Sequence, residues 1–481
     1  MKYLTIIAGT LLSYVALGQP ECDCESELKF IIDYIETNVP SFQDNVDTTN
    51  QEAYDLFKER VMADAKLADS KAACFKTLTY YVEFFKDNHT SLQSYSKEVD
   101  ENDSASVAEF LTSDAYLLAE EYELKNAQPG QYPLGDIRGT YQSHDGRYTM
   151  AVVPDQGPYR DYVGVITESK SKLWKPNQVR MELKEIDEGH WEAFVYEDDH
   201  SLKFYRDYPF VNGVLGDRWF NIRMDRKVNP VVDATDSLTF RMVNDSTAYL
   251  RLPSFLTSQV KPIDSLVTAV DDKIKQTPYL IIDVRNNGGG SGENALRLLD
   301  YYYTHPIQKD RVELYVTEGN IKKYEKLYQE AVQDTVNYSE GFRSWARHII
   351  QRMKAAPPRR YLLLSGKDDY ITNDSVYATP QKVAVLYNKY CASSCELLLF
   401  WARDSDKTIL VGENSGGYVG YGEAVRVKTP CFGFNFPTTT TRYQNSRQYE
   451  ADGIPPDYIL SNDTDWIEQT VNILAKEDTT E

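Results

Sequence analysis

Two short runs in this 481-residue chain combine residue types able to do acyl-transfer chemistry. One is Tyr390-Cys391-Ala392-Ser393-Ser394-Cys395-Glu396, between an apolar strand pattern at Lys382–Tyr387 and a helix pattern from Glu396 to Ala402. A serine there sits at a helix N-terminus, where free N–H groups and the positive end of the helix dipole favour an oxygen nucleophile and a developing oxyanion. From this segment alone Ser393 or Ser394 could equally be an ordinary helix cap. The other run is Arg285-Asn286-Asn287-Gly288-Gly289-Gly290-Ser291-Gly292, directly after the apolar strand Tyr279–Val284. Three consecutive glycines let backbone approach a ligand or aim N–H groups into a cavity. The run lacks the Lys-Ser/Thr of a phosphate loop and the spacing of a dinucleotide fingerprint, which leaves an oxyanion site open. His89, one of only six histidines, closes a helix pattern at Asp87-Asn88-His89-Thr90, where a polar cap is the plain alternative.

The elements that must position these residues change character along the chain. Residues 1–19 read as a secretory signal peptide, with one early positive charge, a short apolar run from Leu4 to Leu17 and small residues at Ala16 and Gly18. Residues 20–126 form an N-terminal helical region, with helix patterns through Leu28–Val39, Ala72–Lys86 and Ala105–Asn126. Over 127–232 the period shortens to alternating stretches punctuated by Gly, Pro and Asp, the pattern of a small antiparallel β domain. Residues 233–475 alternate strands and helices as an α/β core, interrupted by a charged helical insertion at 319–360. An exported chain with six cysteines (Cys22, Cys24, Cys74, Cys391, Cys395, Cys431) permits disulfides, and the expected pairing keeps the first three apart from the last three. No metal cluster or cofactor motif is evident, so no cofactor is expected. With 73 acidic against 52 basic residues and a net charge of −21, nucleic acid would be repelled. No apolar run reaches the length of a spanning helix, so a periplasmic or extracellular protein without a membrane span is expected.

Taken together, Asp283-Val284-Arg285-Asn286-Asn287-Gly288-Gly289-Gly290, Cys391-Ala392-Ser393-Ser394-Cys395-Glu396 with Val411-Gly412-Glu413, and Gly453-Ile454-Pro455-Pro456-Asp457 resemble the C-terminal processing (tail-specific) serine peptidases over about 237–465. The resemblance implies a ClpP/crotonase-like α/β core and makes Ser393 the nucleophile. Many members pair that serine with a lysine twenty-five residues on, a place held here by Tyr418; Lys407 lies at the wrong point of the motif. The chain is more similar to the tricorn-type branch, which uses a histidine from the helical region and a glutamate just before the Gly-Ile-x-Pro-Asp run: here His89 and Glu450, with Asp452 the rival carboxylate. His89 would then be the base and Glu450 would orient its imidazole. The backbone N–H groups of Ser394 and of Gly288 or Gly289 would form the oxyanion site. Arg285 and Glu396 read as structural. Residues 127–232 lack the Gly-Leu-Gly-Phe-like loop of a peptide-binding PDZ domain, so tail recognition does not follow. The expected activity is an exported serine endopeptidase acting on peptides or unfolded protein. The competing expectation is a catalytically silent peptide- or lipid-binding protein, since a related fold occurs in a retinoid-binding protein of the eye.

Overall fold

A computed structural model describes residues 22–477, apart from 95–96, 125–131, 188–189, 212, 217, 225–236, 336–337, 367–368 and 462–463. The leader read at 1–19 lies outside the described residues. The chain mixes helices and sheets: an N-terminal helical region, a large antiparallel sheet and a second, mostly parallel sheet.

The helical region holds Cys24–Asn38, Pro40–Asn45, Gln51–Leu67 and Lys71–Glu83. Leu28, Ile31 and Ile35 recur at helical spacing and are fully buried. The first helix stops at Asn38, and Pro40 opens the next one, where its missing N–H costs nothing. The single helix expected over 105–126 is instead two short ones, Ser104–Leu111 and Asp114–Leu117. The break falls at Thr112-Ser113, where the Ser113 hydroxyl accepts the Tyr116 N–H and starts a new helix.

Residues 139–221 form one nine-stranded sheet whose central strands, Gly139–Ser143, Tyr148–Gly157, Arg160–Ser169 and Val179–Asp187, pair as successive hairpins. Its inner face and the helical region share one apolar core, in which Phe75 meets both Phe194 of the sheet and Phe434 of the C-terminal half. A buried ion pair, Lys76 with Glu182, and Arg206 on Glu83 at 2.6 Å fasten the sheet to the helix Lys71–Glu83.

The second sheet is six-stranded, in the order Thr239–Asn244, Thr247–Arg251, Tyr279–Asp283, Lys382–Tyr387, Thr408–Gly412, Tyr458–Ile459; the first pair is antiparallel and the rest parallel. Its central strands are apolar on both faces, as a covered parallel sheet requires. The helices Val260–Ile274 and Ser394–Ala402 cover one face and Trp466–Glu477 the other. The helices Glu318–Gln333 and Glu340–Ala355 pack on Val312–Val316 of a separate four-stranded sheet. Register assembles the site: Asp283 stands opposite Leu386, so the glycine run and the Ser393 loop leave two adjacent parallel strands side by side at their carboxyl ends. Crevices of open α/β sheets form at that edge.

Candidate active site

Ser393 is the residue before the helix Ser394–Ala402 and has φ 56°, ψ −119°, a conformation that L-residues adopt only under constraint. Four features impose it. A disulfide joins Cys391 to Cys395 across the turn. The Ala392 N–H donates to the Asn287 carbonyl at 3.1 Å, which ties the serine loop to the glycine run. The Glu396 carboxylate, fully buried, accepts the Ser393 N–H at 2.9 Å. The same carboxylate also accepts Ser415 Oγ and the N–H groups of Gly417 and Tyr418. Glu396 is therefore the peg between the serine loop and the 415–418 loop. Burial pushes its pKa up while these donors pull it down.

Gly289 (φ +85°) lies directly against this turn. A Cβ there would be 2.4 Å from the Ala392 carbonyl oxygen, 2.9 Å from Ser394 N and 3.0 Å from Ser393 Cβ. Its N–H, however, is not free, since it donates to Asn287 Oδ1 at 3.0 Å. The Asn287 side chain also accepts the Phe255 N–H and donates to the Leu252 carbonyl, so it shapes the whole run. Of the three expected oxyanion donors, Gly289 is thus engaged. Gly288 is exposed with open space around it, while Ser394 stands at the first helical position, whose N–H has no intrahelical partner. Gly290, which was not singled out in the sequence, lines the cleft.

His89 is carried by the turn after the helix Lys71–Glu83 and arrives on the same cleft, of about 450 Å³, that Ser393, Ser394 and Tyr418 line. Its loop is held from several sides. Asp87 Oδ1 accepts the N–H groups of His89 and Thr90, and Oδ2 accepts the hydroxyls of Thr90 and Thr439. Asn88 donates its side-chain amide to the carbonyls of Gly416 and Gly417 and its N–H to Glu450 Oε1 at 2.7 Å. The Tyr418 ring meets the imidazole edge-on at 5.3 Å. Burial lowers the His89 pKa; nearby Asp87 and a Tyr421 backbone hydrogen bond act the other way.

Glu450 reaches this group through backbone rather than through the imidazole. Its Oε1 takes the Asn88 N–H and its Oε2 those of Val419 and Gly420, while the buried Nδ1 of His89 has no partner among the described residues. The direct carboxylate–imidazole hydrogen bond expected from the motif is not formed; three backbone N–H groups hold the carboxylate instead. Burial, reinforced by the charge of Asp87, pushes Glu450 up to about 8.

The remaining candidates lie elsewhere. Asp452 is exposed and not on the cleft. Lys407 donates to the Tyr377 carbonyl at 3.0 Å, and Arg285 is paired with buried Asp283 at 2.6 Å. Sequence reasoning missed Asp87 and Asn287, whose short-range Asx contacts were available in Asp87-Asn88-His89-Thr90 and in the asparagines before the glycines.

Comparison with known proteins gives one family match: residues 246–460 match peptidase family S41. No curated protein matches the sequence. Among solved structures the chain is similar to mature CPAF complexed with lactacystin, at 13% identity and a TM-score of 0.48, covering 94% of this chain and 97% of that one. It is also similar to a putative peptidase from Parabacteroides merdae (14% identity, TM-score 0.41, 94% and 96% covered). A third is the tricorn protease (10%, 0.35, 94% of this chain and 37% of that one). Residues 246–460 thus carry a peptidase family S41 domain, the family anticipated from the three motifs, and the chain is a serine-type peptidase.

Proposed function

We propose that the chain is an exported endopeptidase that cleaves peptide bonds of peptides or unfolded protein through an acyl-enzyme on Ser393. The observation that carries this reading is that Ser393, on its constrained turn, and His89 line one cleft although 304 positions separate them. In the proposed cycle the Ser393 hydroxyl attacks the scissile carbonyl while His89 takes its proton. His89 then gives that proton to the leaving amine as the C–N bond breaks, and water releases the acyl group by the same steps. A lowered pKa keeps His89 neutral, and so able to act as a base, at neutral pH. Ser394 N–H, with Gly288 N–H, supplies the oxyanion donors; loss of one such donor typically costs about 3–4 kcal/mol. Glu450 acts by holding the backbone at Asn88, Val419 and Gly420 around the imidazole. Export to the periplasm or outside the cell is supported by the leader pattern at 1–19 and by the two disulfides, Cys24–Cys74 and Cys391–Cys395.

The test is covalent labelling with a fluorophosphonate probe, in the wild type and in Ser393→Ala and His89→Ala. Labelling that vanishes in Ser393→Ala and slows by orders of magnitude in His89→Ala supports the reading. A wild-type chain that is folded but unlabelled between pH 6 and 9 overturns it and favours a silent binding protein.

A further inference from the structure

Glu423 stands on the wall of the cleft that Ser393 and His89 share. It follows the short strand Tyr421–Gly422, and its backbone is in the left-handed region at φ 51°. That conformation is fixed by neighbours: Thr440 donates its N–H to the Gly422 carbonyl at 3.0 Å and its hydroxyl to the Glu423 carbonyl at 3.2 Å. Non-glycine residues held so are concentrated at functional sites. The residue as a whole is exposed, while the cleft wall desolvates its carboxyl group, which among the described residues makes no ion pair or hydrogen bond. Among the described residues no lysine or arginine lines the cleft. The other carboxylate there, Asp310, is already taken by the N–H groups of Asn445 and Ser446 and by the Ser446 hydroxyl. Glu423 is thus the uncommitted carboxyl group of the cleft. That desolvation raises its pKa, and a cation lying against the carboxyl group would favour its charged form. Leu397 and Phe400 supply apolar wall for an aliphatic stem.

We infer that Glu423 is a specificity residue that selects substrates with a lysine or arginine side chain next to the scissile bond. This rests on the reading of Ser393 as the nucleophile. A long side chain with an apolar stem and a cationic tip satisfies both the wall and the charge, whereas an acidic side chain would be repelled. The excess of negative charge on the whole chain draws cationic peptides in the same direction.

The experiment measures kcat/KM on matched peptides that carry Arg, Lys, Leu or Glu at one or the other position flanking the cleaved bond, for the wild type, Glu423→Gln and Glu423→Lys. The quantity read is the Arg-to-Leu ratio within each variant, so a general loss of activity cannot imitate the effect. We expect a ratio of about tenfold or more in the wild type, near unity in Glu423→Gln, and a shift toward Glu in Glu423→Lys. A flat wild-type panel, or the same preference in all three proteins, overturns the inference while Ser393-dependent labelling leaves the peptidase reading intact. Absence of that labelling overturns both.

Discussion

Gly288 and Gly289 are neighbours of the same type with opposite surroundings, so replacing each by alanine isolates close approach from every other property of glycine. At Gly289 the added Cβ falls 2.4 Å from the Ala392 carbonyl oxygen, 0.6 Å short of the 3.0 Å below which real Cβ contacts are essentially never seen. The obstacle is backbone, and it is pinned by the 391–395 disulfide, the Glu396 peg and the Asn287 contact. The left-handed φ costs alanine about 1–2 kcal/mol. Overpacking adds about 1–3 kcal/mol. The expected loss is about 2–5 kcal/mol, on the order of 10 °C in Tm for a unit of this size. Moving the Ser393 turn by several tenths of an ångström should also slow fluorophosphonate labelling tenfold or more, given that a 1 Å misplacement costs about 10². At Gly288 an added Cβ meets nothing within 4 Å and φ is not positive, so Gly288→Ala should hold or raise Tm. Thermal unfolding with parallel labelling of the two variants decides. Equal Tm values, or a Gly288→Ala less stable than Gly289→Ala, would refute the packing account.

Burial lowers the His89 pKa, so the proposed base stays neutral further into acid than an ordinary histidine; kcat/KM should fall only as pH drops below about 6.5, and a limb centred above 7 would contradict this. Glu396→Gln keeps the volume but leaves two of four donors facing an amide nitrogen, which should cost about 2–6 kcal/mol in urea unfolding; a change below 1 kcal/mol would remove Glu396 from its role as peg. A non-reducing digest should yield the Cys24–Cys74 and Cys391–Cys395 peptides, and Cys24→Ser with Cys74→Ser should lose about 2–5 kcal/mol; unmodified thiols at those four positions in protein purified from an oxidising compartment would count against the assignment.

What the sequence disclosed was what neighbours in the chain decide. The apolar strand Lys382–Tyr387, the serine at the head of the following helix and the glycine run after Tyr279–Asp283 are local patterns, and each stands where its pattern put it. The change from helical to alternating period over 127–232 announced the antiparallel sheet, whose first strand is Gly139–Ser143. The helix expected over 105–126 failed on a local signal given too little weight, the Thr112-Ser113-Asp114 restart. Long-range contacts were out of reach. Nothing near Glu450 shows three backbone donors converging on it from positions 88, 419 and 420. That His89 would meet Ser393 followed from resemblance alone, since no periodicity links residues so far apart.

The loop bearing His89 takes its supports from the far end of the polypeptide: Thr439 on Asp87, Gly416 and Gly417 on Asn88, and Glu450 on the Asn88 amide. A ribosome releases these residues more than three hundred positions after the loop itself. Until the final quarter of the chain has been made and has docked, the loop lacks its anchors. A truncated or half-made molecule is therefore left without an assembled cleft.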